Sequence, residues 1–353
     1  MPRTASGPLP ELLAFDRLVA RAGARIDAQV VCEVDANGRR HPVPVAIIGS
    51  SRPDAPAVGY FGGVHGLERV GAAVVLSHLQ GIVARLEWDH ALERQLESIR
   101  MVFMPVVNPG GMALGMRANP NGVDLMRNAP VDARERVPFL VGGQRVGNGL
   151  PWYRGVEGAA MEPESSALCA VVQAEMLSRP FSIAVDCHSG FGLHDRIWFP
   201  FAHTREPIEH LADVQALSAI FDEAHASHRY VFEPQSRQYL AHGDLWDHLY
   251  LLACRSPGTL FLPTTLEMGS WTWVRKNPLQ LLSREGIFNP LIAHRMQRVL
   301  RQHTVWLDFA ARAAESHARW VPVGAARERA RAEAIRRWYA APSRAAPRTP
   351  AST

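Results

Sequence analysis

Apolar residues in this chain gather in short, near-continuous runs that alternate with stretches of helical spacing. VVCEVDANGRRHPVPVAIIGS (30–50) reads as two strands joined at Asn37-Gly38, a pair that favours a tight hairpin turn. PAVGYFGGV (56–64) reads as a buried strand, and residues 66–86 place Leu67, Val70, Val74 and Leu79 at helical spacing. SIRMVFMPVVNPGG (98–111) is a further apolar strand ended by a turn signal. Residues 112–160 are rich in Gly, Asn and Pro and read as a long loop, a length that in a compact domain points to function. A helix is expected over 162–177, strands over 181–190 and 196–201, and helices over 208–225 and 243–252. A strand over 257–269 and a long helix over 290–316 close the pattern. Such alternation predicts a single α/β domain: a mixed, mostly parallel, twisted sheet with helices on both faces.

Composition narrows the class. Of 353 residues, 47% are hydrophobic and 20% charged, so a folded core is expected rather than disorder. The formal charge is +4, but residues 311–353 hold nine Arg and three Glu, a net +6, which leaves residues 1–310 slightly acidic at about −2. The body is therefore no polyanion binder by charge. The tail has no aromatic residues interleaved with its arginines beyond Trp320 and Trp338-Tyr339, so a solvated helix is expected there and not a nucleic-acid arm. The chain divides into a body, 1–318, and an Arg/Ala/Pro-rich tail, 319–353, helical at first and then disordered. Cys32, Cys169, Cys187 and Cys254 have no metal-like spacing and read as free buried thiols. The N-terminus lacks an apolar segment of signal-peptide length, and no run of about 18 apolar residues occurs. A soluble cytoplasmic protein without a membrane partner is expected.

Chemistry enters at GGVHGLERVG (62–71), where His65 and Glu68 sit three residues apart in a glycine-rich corner between strand and helix. His188 ends the strand FSIAVDCHSG (181–190). In open α/β sheets, sites form beyond the carboxyl ends of strands, where all three lie. Two His and one Glu are a zinc ligand set that leaves one position of a tetrahedron open. Each signal alone is weak: HxxE occurs by chance, and a histidine at a strand end is more often a satisfied core residue.

The combination is stronger, because over residues 56–270 the chain resembles the zinc metallocarboxypeptidases of the carboxypeptidase A-like family, with the motifs in the same order. GGVHGLE resembles the first metal motif, NPGGMALGMRANPNGVDLMRN (108–128) the segment NPDG…R.N..GVDLNRN, and MEPES (161–165) the SEPET that starts the following helix. DCHSG (186–190) resembles the third-ligand motif, QYLAHGDLWD (238–247) the segment of the mobile tyrosine, and LEMG (266–269) the strand of the catalytic glutamate. The resemblance implies one zinc per chain, held by His65, Glu68 and His188, and a peptide or amino-acid-amide substrate. Glu267 would be the general base and acid acting on a zinc-bound water. Arg117 would polarise the scissile carbonyl. Asp124 would accept a hydrogen bond from His65. Arg127 would grip the substrate's terminal carboxylate, since a guanidinium fork pairs bidentately with a planar anion. Tyr239 would close over the substrate, and Trp246 would help line the pocket for its terminal side chain. A strand-end surface acid, a solvated loop arginine, an Asx turn and core aromatic packing are the plainer readings of Glu267, Arg117, Asp124, Tyr239 and Trp246 taken singly.

One position departs from the pattern. The family usually has Asn before the carboxylate-binding arginine, and this chain has Met126, whose thioether cannot donate a hydrogen bond. The implied activity is metallocarboxypeptidase hydrolysis beside a C-terminal carboxylate. The alternatives are a zinc-dependent deacylase of N-acyl amino acids or side-chain-linked peptides on the same fold, and an inactive peptidase-like binding protein. The last would predict loss of a metal ligand or of the base, and all four are present.

Overall fold

A computed structural model describes residues 7–340. Eight strands form one mixed sheet. They are β1 Asp27–Ala36, β2 Arg39–Gly49, β3 Ala57–Gly62, β4 Arg100–Met104, β5 Phe181–Ser189, β6 Arg196–Phe199, β7 Val231–Pro234 and β8 Leu260–Met268. Their spatial order is β1-β2-β4-β3-β5-β8-β6-β7. The centre, β4-β3-β5-β8, is parallel, while β1-β2, β2-β4 and β6-β8 pair antiparallel and β6-β7 is again parallel. The β1–β2 turn has both Asn37 and Gly38 at positive φ, the conformation the Asn-Gly pair predicts.

The helices are α1 Pro10–Ala22, α2 Arg69–Arg85, α3 His90–Ser98, α4 Pro109–Leu114, α5 Pro163–Val172, α6 Leu211–Ala224, α7 Leu245–Ala253, α8 Trp271–Lys276, α9 Ala293–Glu315, α10 His317–Trp320 and α11 Gly324–Ala334. One face of the sheet meets α2 and α9, the other α5 and α7. The two cores follow from side-chain alternation: Tyr60, Ile183 and Val185 join the α2–α9 core, and Phe61, Ala184 and Phe261 the α5–α7 core. Central strands covered on both faces need apolar residues at every position, and β3 is buried throughout.

The elements α1, α3 and β7 fall outside the sequence-based pattern. β7, VFEP, is four residues long, too short for periodicity to register. Asn108-Pro109 opens the short helix α4: the Asn108 side chain accepts the Gly111 N–H at 2.8 Å. No single helix among the described residues is long and apolar enough to cross a membrane. All four cysteines are free. Cys169 and Cys187 are buried and Cys32 half-buried, but Cys254 is exposed just past α7, so burial of all four does not hold.

Described residues of the tail continue the fold. Helix α11 packs on α6, Arg327 pairs with the buried Asp213 at 2.7 Å, and Trp338 is buried, its indole N–H donating to the Phe232 carbonyl. Arg331 and Arg337 donate to groups of residues 208–218. Three arginines thus tie the helix to the body, while most of α11 is exposed, as expected of a solvated helix. The expected disordered end, from 341 on, lies outside the described residues.

The topology fixes where a site can form. β4 lies on one side of β3 and β5 on the other, so the chain reverses its direction of sheet growth at β3. A crevice opens beyond the carboxyl ends of strands at such a point. Gly63 turns the chain at φ 63° just past β3. Gly71 lets α2 approach β5: a Cβ there would lie 2.1 Å from the Cys187 carbonyl oxygen. That approach brings the start of α2 against His188.

Candidate metal centre and active site

His65 follows β3, and Glu68 is the residue just before α2, with ψ 55°, so the helix begins after it and not at 66 as the spacing over 66–86 predicts. His188 lies near the end of β5, directly opposite Glu267 of β8 in the parallel register. One ligand atom from each of His65, Glu68 and His188 lies within 4.8 Å of the others, and all three residues are buried. The sequence motifs, more than a hundred residues apart, thus meet.

Each side chain is held from behind. Glu68 Oε2 accepts from the Ser189 N–H at 3.0 Å and faces His188 Nδ1 at 3.1 Å. Arg117 donates through NH1 to Glu68 Oε1 at 2.7 Å, through NH2 to His65 Nε2 at 2.6 Å, and through Nε to Asp124 Oδ2 at 3.1 Å. A guanidinium only donates, so His65 Nε2 is an acceptor and the imidazole is neutral with its proton on Nδ1. Burial, reinforced by the Arg117 charge, holds the His65 pKa well below its ordinary value. Burial alone would raise Glu68, but the bond from His188 and the Arg117 charge outweigh it and bring the carboxyl down to about 2. For Arg117, Asp124 and Glu68 likewise outweigh burial and keep it firmly charged.

The expected bond from His65 to Asp124 is not formed. His65 Nδ1 lies 3.7 Å from Asp124 Oδ1, beyond hydrogen-bond range, and has no partner. Asp124 instead anchors Arg117 and accepts the Met126 N–H at 3.1 Å. The carboxylate behind a ligand is on the other histidine: His188 Nε2 lies 2.6 Å from Asp186 Oδ2. Asp186 and Glu68 overcome burial and push the His188 pKa well up. The sequence did carry the signal, since Asp186 is two residues before His188 and strand residues i and i+2 share a face.

Trp246 does not line the cleft, contrary to expectation. It is buried against Phe61, ring centroids 5.0 Å apart, and its indole N–H donates to Asp186 Oδ2 at 2.8 Å. It therefore sits behind Asp186, which sits behind His188. Position in a helix could not reveal this, because the face of α7 that meets the sheet is decided by packing.

A cleft of about 760 Å³ gathers His65, Glu68, Arg117, Met126, Arg127, His188, Tyr239 and Glu267. Glu267 is buried at its base and Oε1 accepts the Phe191 N–H at 3.0 Å. Burial, with the Glu68 charge adding to it, raises the Glu267 carboxyl to about 8. Arg127 is 3% exposed, yet none of its hydrogen bonds reaches a carboxylate. They go to the Val141 and Met126 carbonyls and the Tyr239 hydroxyl, all at 3.4 Å, and the guanidinium lies 5.8 Å from the centre of the Tyr239 ring. Asp244, buried nearby, feels the Arg127 charge but does not bond it, so the guanidinium can still take an anion. Met126 lines the cleft beside it, with its carbonyl facing Arg127.

Sequence reasoning missed the aromatic walls. Phe191, Trp198 and Trp271 line the cleft, as does Trp152, a non-glycine residue at φ 58°. Single aromatics scattered over 120 residues carry no pattern that separates cleft from core.

The donor set suits zinc: two imidazoles, one of them neutral with its lone pair on a cation, and a carboxylate kept ionised, all buried and close enough to share one ion. The lone pairs of His65 and Glu68 already converge on the positive Arg117.

A model of the zinc carboxypeptidase family matches residues 33–261. Carboxypeptidase SOL1 of Arabidopsis thaliana is 36% identical over 75 residues, 21% of this chain and 15% of that protein. Carboxypeptidase D of Anas platyrhynchos is 21% identical over 184 residues, 50% of this chain and 11% of that protein. The chain thus spans only a small part of the length of either relative. Among solved structures, thrombin activatable fibrinolysis inhibitor superimposes with TM-score 0.66 at 17% identity, over 90% of this chain and 77% of the other. Carboxypeptidase A from Helicoverpa armigera does so with TM-score 0.60 at 17% identity, over 88% and 74%. At such identities the likeness is one of fold.

Proposed function

From the premise that this chain belongs to the zinc carboxypeptidase family, we propose that it hydrolyses the peptide bond next to a free C-terminal carboxylate, with one zinc held by His65, Glu68 and His188. The observation that carries this reading is the cleft itself, which combines a three-ligand cluster, a buried carboxyl with raised pKa and a buried Arg127 that no carboxylate bonds.

Zinc bound there supplies a Lewis acid that acidifies water and polarises a carbonyl. The remaining work falls to side chains. Arg127 takes the substrate carboxylate, and Tyr239, whose hydroxyl it already contacts, flanks the same group. Glu267 is held through Oε1 by Phe191, which leaves Oε2 to accept a proton from water and pass it to the departing amine. The hydroxyl of water goes to the carbonyl carbon and the proton to the nitrogen. Burial raises the Glu267 carboxyl, so once protonated it surrenders its proton readily to an amine; a cation bound beside it would favour its ionised form for taking that proton from water. Arg117, tethered by Asp124, adds a fixed positive charge beside the position where the carbonyl oxygen becomes negative.

The test is metal analysis of the purified chain together with hydrolysis of short peptides by wild type and Glu267→Gln. One zinc per chain in both proteins, with activity in the wild type only, supports the reading; a chain that binds no zinc ends it. Arg127 serves the carboxylate of an N-acyl amino acid equally well, so the assay includes these. Cleavage of them alone would replace peptidase by deacylase.

A further inference from the structure

One rim of the cleft carries an apolar surface that faces solvent. The chain leaves β8 through α8 and a 3₁₀ turn, Pro278–Leu282, and reaches α9 at Ala293. Of seventeen large apolar side chains exposed among the described residues, six lie on this short segment: Trp271, Leu279, Leu281, Leu282, Ile287 and Leu291. Exposed apolar residues scattered singly are ordinary, whereas a cluster marks a contact surface. The segment is folded back on itself. The buried Gln280 amide donates to the Gly286 carbonyl at 2.7 Å and the Asn289 carbonyl at 3.0 Å. Asn289 ties that frame to the start of α2, donating to the Leu67 carbonyl at 2.8 Å and accepting the Val70 N–H at 2.9 Å. Leu282 is 87% exposed and Leu279 73%, and three residues apart they share a face of the 3₁₀ turn. Side chains so open to solvent project from the surface; they do not line a groove.

The same segment reverses the charge of the body. Residues 271–301 hold six cations, Arg275, Lys276, Arg284, Arg295, Arg298 and Arg301, against one acid, Glu285, a net +5 (6 − 1), in a body that is slightly acidic as a whole. Five of the six are exposed and Arg295 is half-buried. Among the described residues none of them lies within 4.0 Å of a carboxylate. Asp195, an acid packed beside the segment, is already engaged: it accepts the Gly269 N–H at 2.9 Å and the Gln302 amide at 2.6 Å. Arg275 and Lys276 precede the projecting leucines and Arg284 follows them, so free positive charge flanks the apolar turn on both sides.

We propose that this rim docks on an anionic lipid surface, with Leu279 and Leu282 entering the acyl boundary and Lys276 and Arg284 meeting the headgroups. Leucines gain by leaving water for hydrocarbon, and cations beside them gain from the negative surface, so the two features fit one partner. A second copy of the chain fits worse, because an isologous contact sets these cations against themselves. Nucleic acid would use the cations but leave the leucines in water, since aliphatic side chains offer bases no ring to stack on. No single helix among the described residues can cross a membrane, so the contact is peripheral. A membrane partner departs from the absence of one expected from the sequence. Trp271, Arg275, Leu281 and Ile287 also line the cleft, so docking sets its mouth beside the lipid. Docking needs no catalysis, and it stands or falls apart from the peptidase reading.

Flotation of the full chain with vesicles tests this, comparing phosphatidylcholine alone with phosphatidylcholine containing about one third phosphatidylglycerol. Partition onto the anionic vesicles is expected to be about tenfold tighter or more, and to weaken as salt rises. Replacing Leu279 and Leu282 together (Leu279→Asp, Leu282→Asp) is expected to weaken it about tenfold or more. Lys276→Gln with Arg284→Gln should weaken it about fivefold for each cation removed. Val323→Asp changes a comparably exposed apolar residue outside the rim and should leave partition as in the wild type. The serine pair, Leu279→Ser with Leu282→Ser, serves if the aspartate pair does not fold. Failure to float, equal partition onto both vesicles, or partition that survives loss of the leucines overturns the proposal. Sedimentation and kinetics identify the other occupants. A wild-type dimer that the leucine pair abolishes, without vesicle binding, assigns the face to a second copy. A raised KM for peptides with vesicle binding unchanged assigns it to the substrate; either result overturns the lipid contact.

Discussion

The two ends of the cleft are built differently. At the reacting end, His188 and Glu267 stand side by side on paired strands, and His65 and Glu68 occupy a short corner between strand and helix. Every one of these residues is buried, and nearly all their polar atoms are bonded. At the anchoring end, Arg127 comes from the 3₁₀ turn Leu125–Arg127, Gln235 from the 3₁₀ turn Gln235–Arg237 with Tyr239 just past it, and Trp198 from a four-residue strand. Arg127 there has only long hydrogen bonds to neutral groups. The difference teaches a division of labour. Ends of paired central strands hold side chains at fixed spacing, and a short turn presents a cation that no carboxylate bonds.

Substitutions can break or sharpen that contrast. The largest effect is expected from Glu267→Gln, with kcat lower by about 10²–10⁴-fold and zinc content unchanged. Metal analysis beside the assay separates lost chemistry from a lost ion. Arg127→Ala is next: about 10–100-fold lower kcat/KM, expressed mainly in KM, because a charge-assisted bond to the substrate disappears. An equal fall in kcat with KM unchanged would move Arg127 from the anchoring end to the reacting end.

Trp246→Phe keeps the ring against Phe61 and removes the N–H that meets Asp186. Zinc affinity, measured by competition with a chelator, should fall about tenfold, as for other partners placed behind a ligand. Unchanged affinity would make Trp246 a packing residue only.

The smallest effect is on stability of the chelated protein. Folding raises the Glu267 carboxyl from 4.5 to about 8. A group whose pKa is raised on folding stabilises fully below its unfolded value, and that contribution is lost as pH rises through the folded one. Metal-free wild type should therefore lose stability relative to Glu267→Gln between pH 4.5 and about 8, so that at neutral pH the variant melts a few degrees higher. Equal melting temperatures throughout that range would show that burial does not raise this carboxyl.

Much of the fold was legible because hydrophobic period reports burial directly. The Asn37-Gly38 hairpin, the doubly covered β3 and β5, and α9 all follow from local pattern. Elements with little apolar surface of their own, such as β7, or α3 with only Leu92 buried, were not legible. The tail was legible in part, since most of α11 is exposed. An Arg-rich composition suggests a solvated helix, yet Ala334 and Trp338 bury while Arg327 finds Asp213. Composition sees the charges but not the acid waiting for one of them on α6.

The sequence alone named the candidates: His65, Glu68 and His188 by residue type at strand ends, and Glu267 and Arg127 by the resemblance of their motifs to those of the zinc carboxypeptidases. The tertiary structure alone decided who stands behind them. It exchanged an expected His65–Asp124 bond for His188–Asp186, moved Trp246 from the pocket wall to the rear of Asp186, and set Trp198 in its place. The reason is physical. Ligand spacing within a turn is a property of a few consecutive dihedrals, whereas the direction of a side chain across a sheet depends on register and packing between segments far apart in the chain.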